Sequence, residues 1–433
     1  MKLREWSLRR WLLVTAVIIL LPLIGLRLHL KWRVRRAVAE LRETGYPITW
    51  NDLSEFYGRV PDDQNAAPLL TNAFSLFVDK ESSEIATVPI VGRGRLPPID
   101  SNWPHEVAAV THAYLKEQAL LLQAIHAVLQ RPDYRLYRDH SRVESFSQYG
   151  SALKLIRLST RYAAQAQHWP QAWESALDEF RLALVLQNEP NLTASMICRS
   201  FLRGAVDDLE QLLKVSSPNV NTVVAIRREL QKAARPVSLS RVIVGERVGF
   251  LEPVFWKSQK LPLDIYFDEQ PPRVHVRAWR TAAPVIYRMS GLADRDLLCF
   301  LERSRALEQA ASAGIEEWLT LAKGWDASLP GSQGKPFYYW SNVWLGAYGT
   351  WFEKWADLHL RLRAADAALA VAQYRLQQEG KLPASLDELV PEFLEAVPIE
   401  PHSGQPFELI VTPDGYGIGR GTPVFKVKVN RDR

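Results

Sequence analysis

A single apolar run near the N-terminus constrains this chain more than any other feature of its sequence. Residues 11–26 read WLLVTAVIILLPLIGL and contain no charged side chain. A helix needs roughly 20 residues to cross a bilayer, and extension to Leu30 reaches about 30 Å if the polar residues before it snorkel to the headgroups. Trp11 and Trp32 then mark the two interfaces. We therefore predict a transmembrane anchor with its flanks at residues 1–30.

A cleaved signal peptide is the competing interpretation of this run, because a charged start precedes it. The run is followed by RLHLKWRVRR, whereas a signal peptidase requires small neutral residues at that place. The first such group, Ala37-Val38-Ala39, lies beyond five basic residues. The sequence therefore favours an uncleaved signal anchor in a bacterial inner membrane.

The net charge of +5 is concentrated at the N-terminus. Residues 1–44 hold ten basic and three acidic side chains, and the other 389 residues hold 43 basic and 45 acidic ones. A body with no net positive field argues against nucleic-acid binding. The numbers of positive charges on the two sides of the apolar run are nearly equal, with slightly more basic side chains after the run. The positive-inside rule alone therefore slightly favours a cytoplasmic body.

The body, residues 31–335, is predicted to be a bundle of several helices. Residues 49–57 indicate a short helix with Thr49 as N-cap and Asp52 in the capping-box position. Longer helices are expected over 105–130 and 292–322, followed by a loop over 324–335. The fold class is therefore mainly α.

One helical hairpin of the body, residues 151–188, has a pattern of its own. Its second helix resembles a tetratricopeptide repeat in the spacing of Trp173, Ala176, Phe180, Ala183, Leu184 and Leu186. In the first helix Ala164 stands where that repeat prefers glycine, and no second copy follows at a period of 34 residues. An ordinary antiparallel helix pair is the alternative.

Residues 336–379 are predicted to form one long helix with an aromatic stripe. The stripe consists of Trp340, Trp344, Tyr348, Trp351 and Trp355, which share one helix face. A buried packing seam is one interpretation, and a platform for sugar rings or for the membrane interface is the other.

The C-terminal residues, 380–433, are predicted to form a small α+β module with a short antiparallel β-meander. Strands are expected over 406–411, 416–419 and 424–429, with a hairpin turn at Pro413-Asp414-Gly415. The string SLDELVPEFLEAVPIEPHSGQP, after a helix that ends near Gly380, resembles the C-terminal part of type II secretion major pseudopilins. Glu400 replaces the usual aspartate of that family, so no calcium site is implied.

The chain as a whole resembles a group of uncharacterised single-pass membrane-anchored bacterial proteins. The segment GYPITWNDLSEFYGRVPDDQNAAPLL and Gly245-Glu246-Arg247 carry this resemblance. It implies an architecture of one anchor, a helical body and the pseudopilin-like tail. It implies no activity.

No catalytic, cofactor-binding or metal-binding motif is recognisable in the sequence. Glu246-Arg247 is the best polar candidate, because a carboxylate in the apolar stretch VIVGERVGF must be paired or protonated. A structural ion pair with Arg241 or Arg295 is the simplest interpretation. The alternative is an envelope hydrolase that uses Glu246 with Asp294 or Asp296.

Three further groups of residues contain side chains that are chemically reactive in other proteins. Asp139-His140-Ser141 joins triad residue types, but adjacent residues cannot form a triad. His105, His112 and His126 share a rough face without ligand spacing and are expected to be solvated or capped. Cys198 and Cys299 are expected to be buried free thiols, or a disulfide if the body is periplasmic.

The sequence therefore predicts a non-catalytic binding or scaffold protein of the bacterial cell envelope, with no cofactor. Its expected partners are the membrane and a protein or envelope component. Because pseudopilin tails fold outside the cytoplasm, the resemblance of the C-terminal module favours a periplasmic body over the flanking charges.

Overall fold

A computed structural model describes residues 8–58, 60–61, 65–80, 83, 85–131, 134, 146–235, 237–252, 287, 289–330 and 338–428. The described chain is mainly α-helical and ends in a small antiparallel β module, as the sequence predicts. The helices are α1 (Leu8–Glu43), α2 (Trp50–Phe56), α3 (Ala67–Phe74), α4 (His105–Glu117), α5 (Ala119–Leu129), α6 (Ser147–Gln165), α7 (Trp169–Val185), α8 (Leu192–Val215), α9 (Val220–Ala233), α10 (Val237–Leu251), α11 (Leu292–Ala313), α12 (Ile315–Ser328), α13 (Tyr339–Leu345) and α14 (Tyr348–Gln377).

The predicted capping box at the start of α2 is confirmed. The Thr49 hydroxyl accepts a hydrogen bond from the Asp52 backbone N–H at 3.2 Å, and the Asp52 carboxylate accepts one from the Thr49 N–H at 3.0 Å. Two backbone donors at the helix start are thus satisfied locally, which explains why so short a helix begins where the sequence indicates.

Two helices that the sequence predicts as continuous are interrupted. Helix 105–130 divides at Gln118, whose side-chain amide pairs with both the N–H and the C=O of Val78 at 3.1 and 2.7 Å. Helix 292–322 divides at Gly314, which has a φ of +121°, a conformation that favours glycine. Helix α12 then continues to Ser328, so the loop expected from residue 324 begins later.

The long helix predicted over 336–379 is also divided, into α13 and α14. Gly346 follows α13, and a Cβ added there would lie 2.7 Å from the carbonyl oxygen of Asn342. Two glycines, at 346 and 349, weaken helix continuity at this place. The second helix then ends as predicted, with Gly380 at a φ of +87° donating its N–H to the Arg375 carbonyl.

The β module consists of a meander and a minor strand pair. Strands β3 (Glu408–Thr412), β4 (Gly415–Arg420) and β5 (Thr422–Lys428) form an antiparallel sheet in that order, with Leu409 opposite Ile418 and Ile418 opposite Phe425. The hairpin turn predicted by Pro413-Asp414-Gly415 joins β3 to β4. Strands β1 (Ile399–Glu400) and β2 (Gln405–Pro406) form the minor pair.

The chain is organised into two compact units. The first comprises Met1–Gly58, Ile243–Ala310 and Thr320–Thr350. Its core includes Leu53 of α2 packed on Val244 and Val248 of α10. The rings of Phe250 and Phe300 also stack there, with centroids 4.2 Å apart.

The second unit comprises Arg59–Val242, Ala311–Leu319 and Trp351–Arg433. Helices α6, α7 and α8 pack consecutively in it, and α9 also packs on α7. Strand β5 lies on α8, and the hydroxyl of buried Tyr416 donates to the Ala368 carbonyl of α14 at 2.9 Å. The β module is therefore an integral part of this unit rather than an appended tail.

Candidate functional site

Residues 20–26 of helix α1 expose apolar side chains around the whole circumference of the helix. Every residue from 20 to 26 is exposed. Leu21 exposes 62% of its surface, and the neighbouring leucines and isoleucine expose more than half. Since an α-helix turns 100° per residue, seven consecutive exposed positions cover all its faces. Monomeric soluble proteins rarely present so continuous an apolar surface.

The C-terminal half of α1 is built differently and packs within the first unit. Leu30, Val34, Val38 and Leu41 are buried along one face, at the spacing of an amphipathic helix. The charged side chains lie on the remaining faces, where Arg33 contacts Glu302 at 3.4 Å and Glu40 contacts Arg305 at 3.1 Å. This half is therefore anchored to α11.

Hydropathy over the described residues identifies no helix that is both long and apolar enough to cross a membrane.

Glu246-Arg247, the polar pair singled out in the sequence, lies in helix α10. Arg247 is fully buried and contacts the carboxylate of Glu308, while its Nε donates to the Ser304 hydroxyl at 3.1 Å. Its guanidinium also lies over the Tyr46 ring, 5.5 Å from the centroid. A buried guanidinium needs this compensation. The contacts identify Arg247 as a structural residue and Glu308 as its carboxylate partner.

Glu246 itself is only half-buried. Burial, and then the negative charge of Glu246, raise the pKa of the Tyr348 hydroxyl well above its ordinary value. Glu246 therefore faces a neutral phenol in the first unit.

The two aspartates proposed as its catalytic partners lie in different surroundings. Asp296 is fully buried, and its carboxylate accepts hydrogen bonds from the Ser341 backbone at 2.9 Å and from the Tyr287 hydroxyl. Burial raises the pKa of Asp294, and the positive charges of Lys31 and Arg27 oppose this shift. Through its hydrogen bond from the Ser341 backbone, Asp296 stabilises the start of α13. These contacts give the hydrolase alternative no geometric support.

A second buried polar cluster, which the sequence analysis did not detect, joins α6, α7 and α8. Asp208 accepts from Arg157 Nε at 2.7 Å and from Arg161 Nε at 3.0 Å. Glu179, also fully buried, accepts from the Thr160 hydroxyl at 2.7 Å. Arg157 and Arg161 are four residues apart on one helix face, which is the signal that could have indicated a shared acidic partner.

The protonation of this cluster follows from its burial. Desolvation, followed by the negative charge of Asp208, raises the pKa of Glu179 well above its ordinary value. Two carboxylates that share a dry site favour one proton between them. Neither carboxylate is reachable by a substrate, because both side chains are fully buried. The cluster therefore ties three helices together.

The histidines and cysteines do not form a shared site within the described residues. His126 contacts Asp178 at 2.7 Å and Glu174 at 3.3 Å, while His112 lies against the ring of Tyr162. Among the described residues, no group of three or more histidine, cysteine, aspartate or glutamate side chains could hold a metal ion. Asp139-His140-Ser141 lies outside the described residues.

Both cysteines are free thiols. Cys198 is fully buried, and burial raises its pKa to about 12. Cys299 is partly buried, and burial is also the main cause of its raised pKa. Neither thiol is activated as a nucleophile, since activation requires a lowered pKa.

The described part of the aromatic stripe supports interior packing. Trp351 and Trp355 of α14 are buried, and both indole N–H groups donate to the Ser195 hydroxyl of α8 at 3.1 Å. Trp344 of α13 contacts the ring of Phe250 in the first unit. The side chain of Trp340 lies outside the described residues.

In the β module, Glu400 has a local role. Its carboxylate accepts hydrogen bonds from the backbone N–H groups of His402 and Ser403 at 2.9 and 2.7 Å. These donors lower the pKa of Glu400 against the effect of its burial. Glu400 thus closes the turn between β1 and β2.

Comparison with protein-family models, with curated proteins and with solved structures gave no match for this chain. The resemblances stated from the sequence therefore remain predictions.

Proposed function

We propose that this protein is a single-pass, membrane-anchored, non-catalytic binding or scaffold protein of the bacterial inner membrane. The observation that carries the anchor is the continuous exposed apolar run at residues 20–26. Transfer of a half-exposed leucine or isoleucine from water to hydrocarbon gains roughly 1 kcal/mol. Lipid contact would satisfy this surface along the predicted span.

The anchor is tested by charge placed in the exposed run. A Leu21→Asp/Ile24→Asp double variant should lose membrane association, because each charge at the centre of a span costs about 3 kcal/mol. The measurement is fractionation of the full chain by carbonate and by detergent. Leu120→Asp/Val411→Asp is the matched control, since both residues are exposed, at 70% and 64%, but lie elsewhere. Salt release of the unaltered chain would contradict the anchor.

A binding role is supported by the structural function of the ion pairs in this protein. The buried Arg247–Glu308 and Arg161–Asp208 pairs act within the fold, and the described residues place no activated nucleophile beside them. The hairpin over residues 151–188 resembles the tetratricopeptide repeat, whose arrays form binding surfaces for other proteins. Crosslinking in membranes followed by purification of the full chain tests the role. Recovery of one stoichiometric envelope component is expected.

The periplasmic location of the body is part of the same proposal. It is supported by the resemblance of the C-terminal module to pseudopilins, and long domains can cross despite flanking positive charge. A reporter fused after Arg433 decides the orientation. Alkaline phosphatase activity supports a periplasmic body, whereas a silent phosphatase with a fluorescent cytoplasmic reporter reverses it.

A further inference from the structure

A groove of about 530 Å³ lies between helices α1 and α11 in the first unit. Its walls include His29, Trp32, Arg33, Arg36, Glu302 and Arg305. The groove is therefore built on the packed half of α1, and it begins within one helical turn of the exposed apolar run. We call it the interfacial groove.

The charges in the interfacial groove leave a positive surplus. Arg33 is paired with Glu302 and Arg305 with Glu40, but both pairs are solvent-exposed, so their net contribution is small. Arg36 lies over the Trp32 ring at 5.5 Å, and no ion pair to a carboxylate is recorded for it within the described part of the chain. Among its described lining residues the groove therefore has three guanidinium groups for two carboxylates, and the two paired arginines can exchange their partners for a stronger anion.

These arginines lie at the depth of lipid headgroups or just beyond it, and long side chains on a helix point back toward its N-terminus, which is the membrane side here. With a rise of 1.5 Å per residue, Arg33 and Arg36 lie about 5 and 9 Å beyond Leu30, the end of the predicted span. The headgroup layer occupies roughly 5–8 Å on each side of the hydrocarbon core. Trp32 and His29, which stack at 6.1 Å, have the amphipathic rings that favour this layer.

We propose that the interfacial groove binds the headgroup phosphate of an anionic phospholipid. Arg33 and Arg36 contact the phosphate, and Trp32 lies at the boundary between headgroup and acyl chain. This inference rests on the proposed membrane anchor and adds a ligand site to it. The lipid would hold α1 and α11 in register, because Arg305 on α11 faces the same groove.

The test uses the full chain in a neutral detergent with added phosphatidylglycerol or phosphatidylcholine, and native mass spectrometry counts the retained lipids. We expect preferential retention of phosphatidylglycerol. Arg33→Gln/Arg36→Gln should weaken it about ten- to thirtyfold, because each basic residue near the surface contributes about 1 kcal/mol. Arg35→Gln/Arg42→Gln is the matched control: it removes the same charge from exposed positions of α1 outside the groove.

A third variant changes retention in the opposite direction. Glu40→Gln/Glu302→Gln removes the two competing carboxylates and should strengthen retention of phosphatidylglycerol. Equal weakening in both arginine variants would overturn the site in favour of diffuse attraction. Displacement by millimolar inorganic phosphate would identify a soluble anion as the ligand and also overturn it. Failure of the anchor is distinguishable, since the unaltered chain would then leave membranes without detergent.

Discussion

Two segments of this protein, residues 20–26 of α1 and helix α14, both carry many large apolar side chains but have opposite surroundings. Leu21 of α1 is 62% exposed, whereas Phe352 and Trp355 of α14 are at most 2% exposed. The run in α1 is apolar on every face, but α14 alternates its aromatic face with Arg361, Arg363 and other charged residues. An all-round apolar helix requires a surrounding apolar solvent, while a striped helix can be buried against protein.

The largest expected effect on stability concerns α14, the buried helix of the two. Trp355→Ala should lower the free energy of unfolding by about 3–5 kcal/mol, because it leaves a large cavity. Urea denaturation followed by circular dichroism measures the loss. Leu376→Ala, at a position of the same helix that is 45% exposed, is the control and should cost far less. Equal costs would show that α14 is not a buried seam.

A smaller loss is expected where the stripe meets α8. Ser195→Ala removes the acceptor of the Trp351 and Trp355 indole N–H groups. Loss of this shared buried acceptor should lower the free energy of unfolding by about 2–3 kcal/mol. Ser200→Ala, on the exposed face of α8, should be neutral in the same denaturation experiment. A neutral Ser195→Ala would mean that water replaces the hydroxyl.

A pH dependence of stability is expected from His359, a buried histidine of α14 beside the aromatic stripe. This ring lies against Trp318 at 5.3 Å and Trp355 at 6.1 Å, and burial, assisted by the charge of Arg363, lowers its pKa to about 3. The folded state therefore favours the neutral ring. Its stabilisation is complete above the unfolded pKa near 6.5 and declines as the pH falls toward 3, by about 2 kcal/mol between pH 8 and pH 5.

His359→Phe should remove this part of the pH dependence, and chemical denaturation at several pH values measures it. His112→Phe is the control, because His112 is exposed and should leave the dependence intact. A His359→Phe protein with an unchanged pH profile would contradict the assignment.

The smallest effect on stability is expected in the exposed apolar run of α1. Leu21→Ala should change the free energy of unfolding by less than about 0.5 kcal/mol in detergent solution, as is typical of surface positions. Denaturation monitored by tryptophan fluorescence would detect a larger change. A loss above 1 kcal/mol would indicate that the apolar half of α1 packs against protein and would weaken the proposed anchor.

Local patterns predicted much of the fold. The capping box at Thr49, the helix end at Gly380 and the three strands of the C-terminal meander all depend on residues that are close in sequence. The helix breaks at Gln118 and Gly346 were not predicted, because polar or small residues also occur within continuous helices. At Gln118 the decisive partner, Val78, is 40 residues away.

In the buried polar clusters, too, the sequence did not predict contacts between residues that are far apart along the chain. The sequence singled out Glu246-Arg247 in an apolar stretch and predicted an arginine partner for Glu246, but it gave no partner for Arg247, which contacts the carboxylate of Glu308. The Glu179–Asp208 cluster was missed altogether, since each of its members is individually compatible with a solvent-exposed helix face.

By itself, the sequence determined the mainly helical class, the apolar run of α1, the uneven distribution of charge and the C-terminal meander. Only the tertiary structure decided which charges are buried together and which apolar faces are covered. The physical reason is range: periodicity and capping act within one or two helical turns. The Arg157–Asp208 and Arg247–Glu308 contacts join residues 51 and 61 positions apart, and they exist only after the helices have packed.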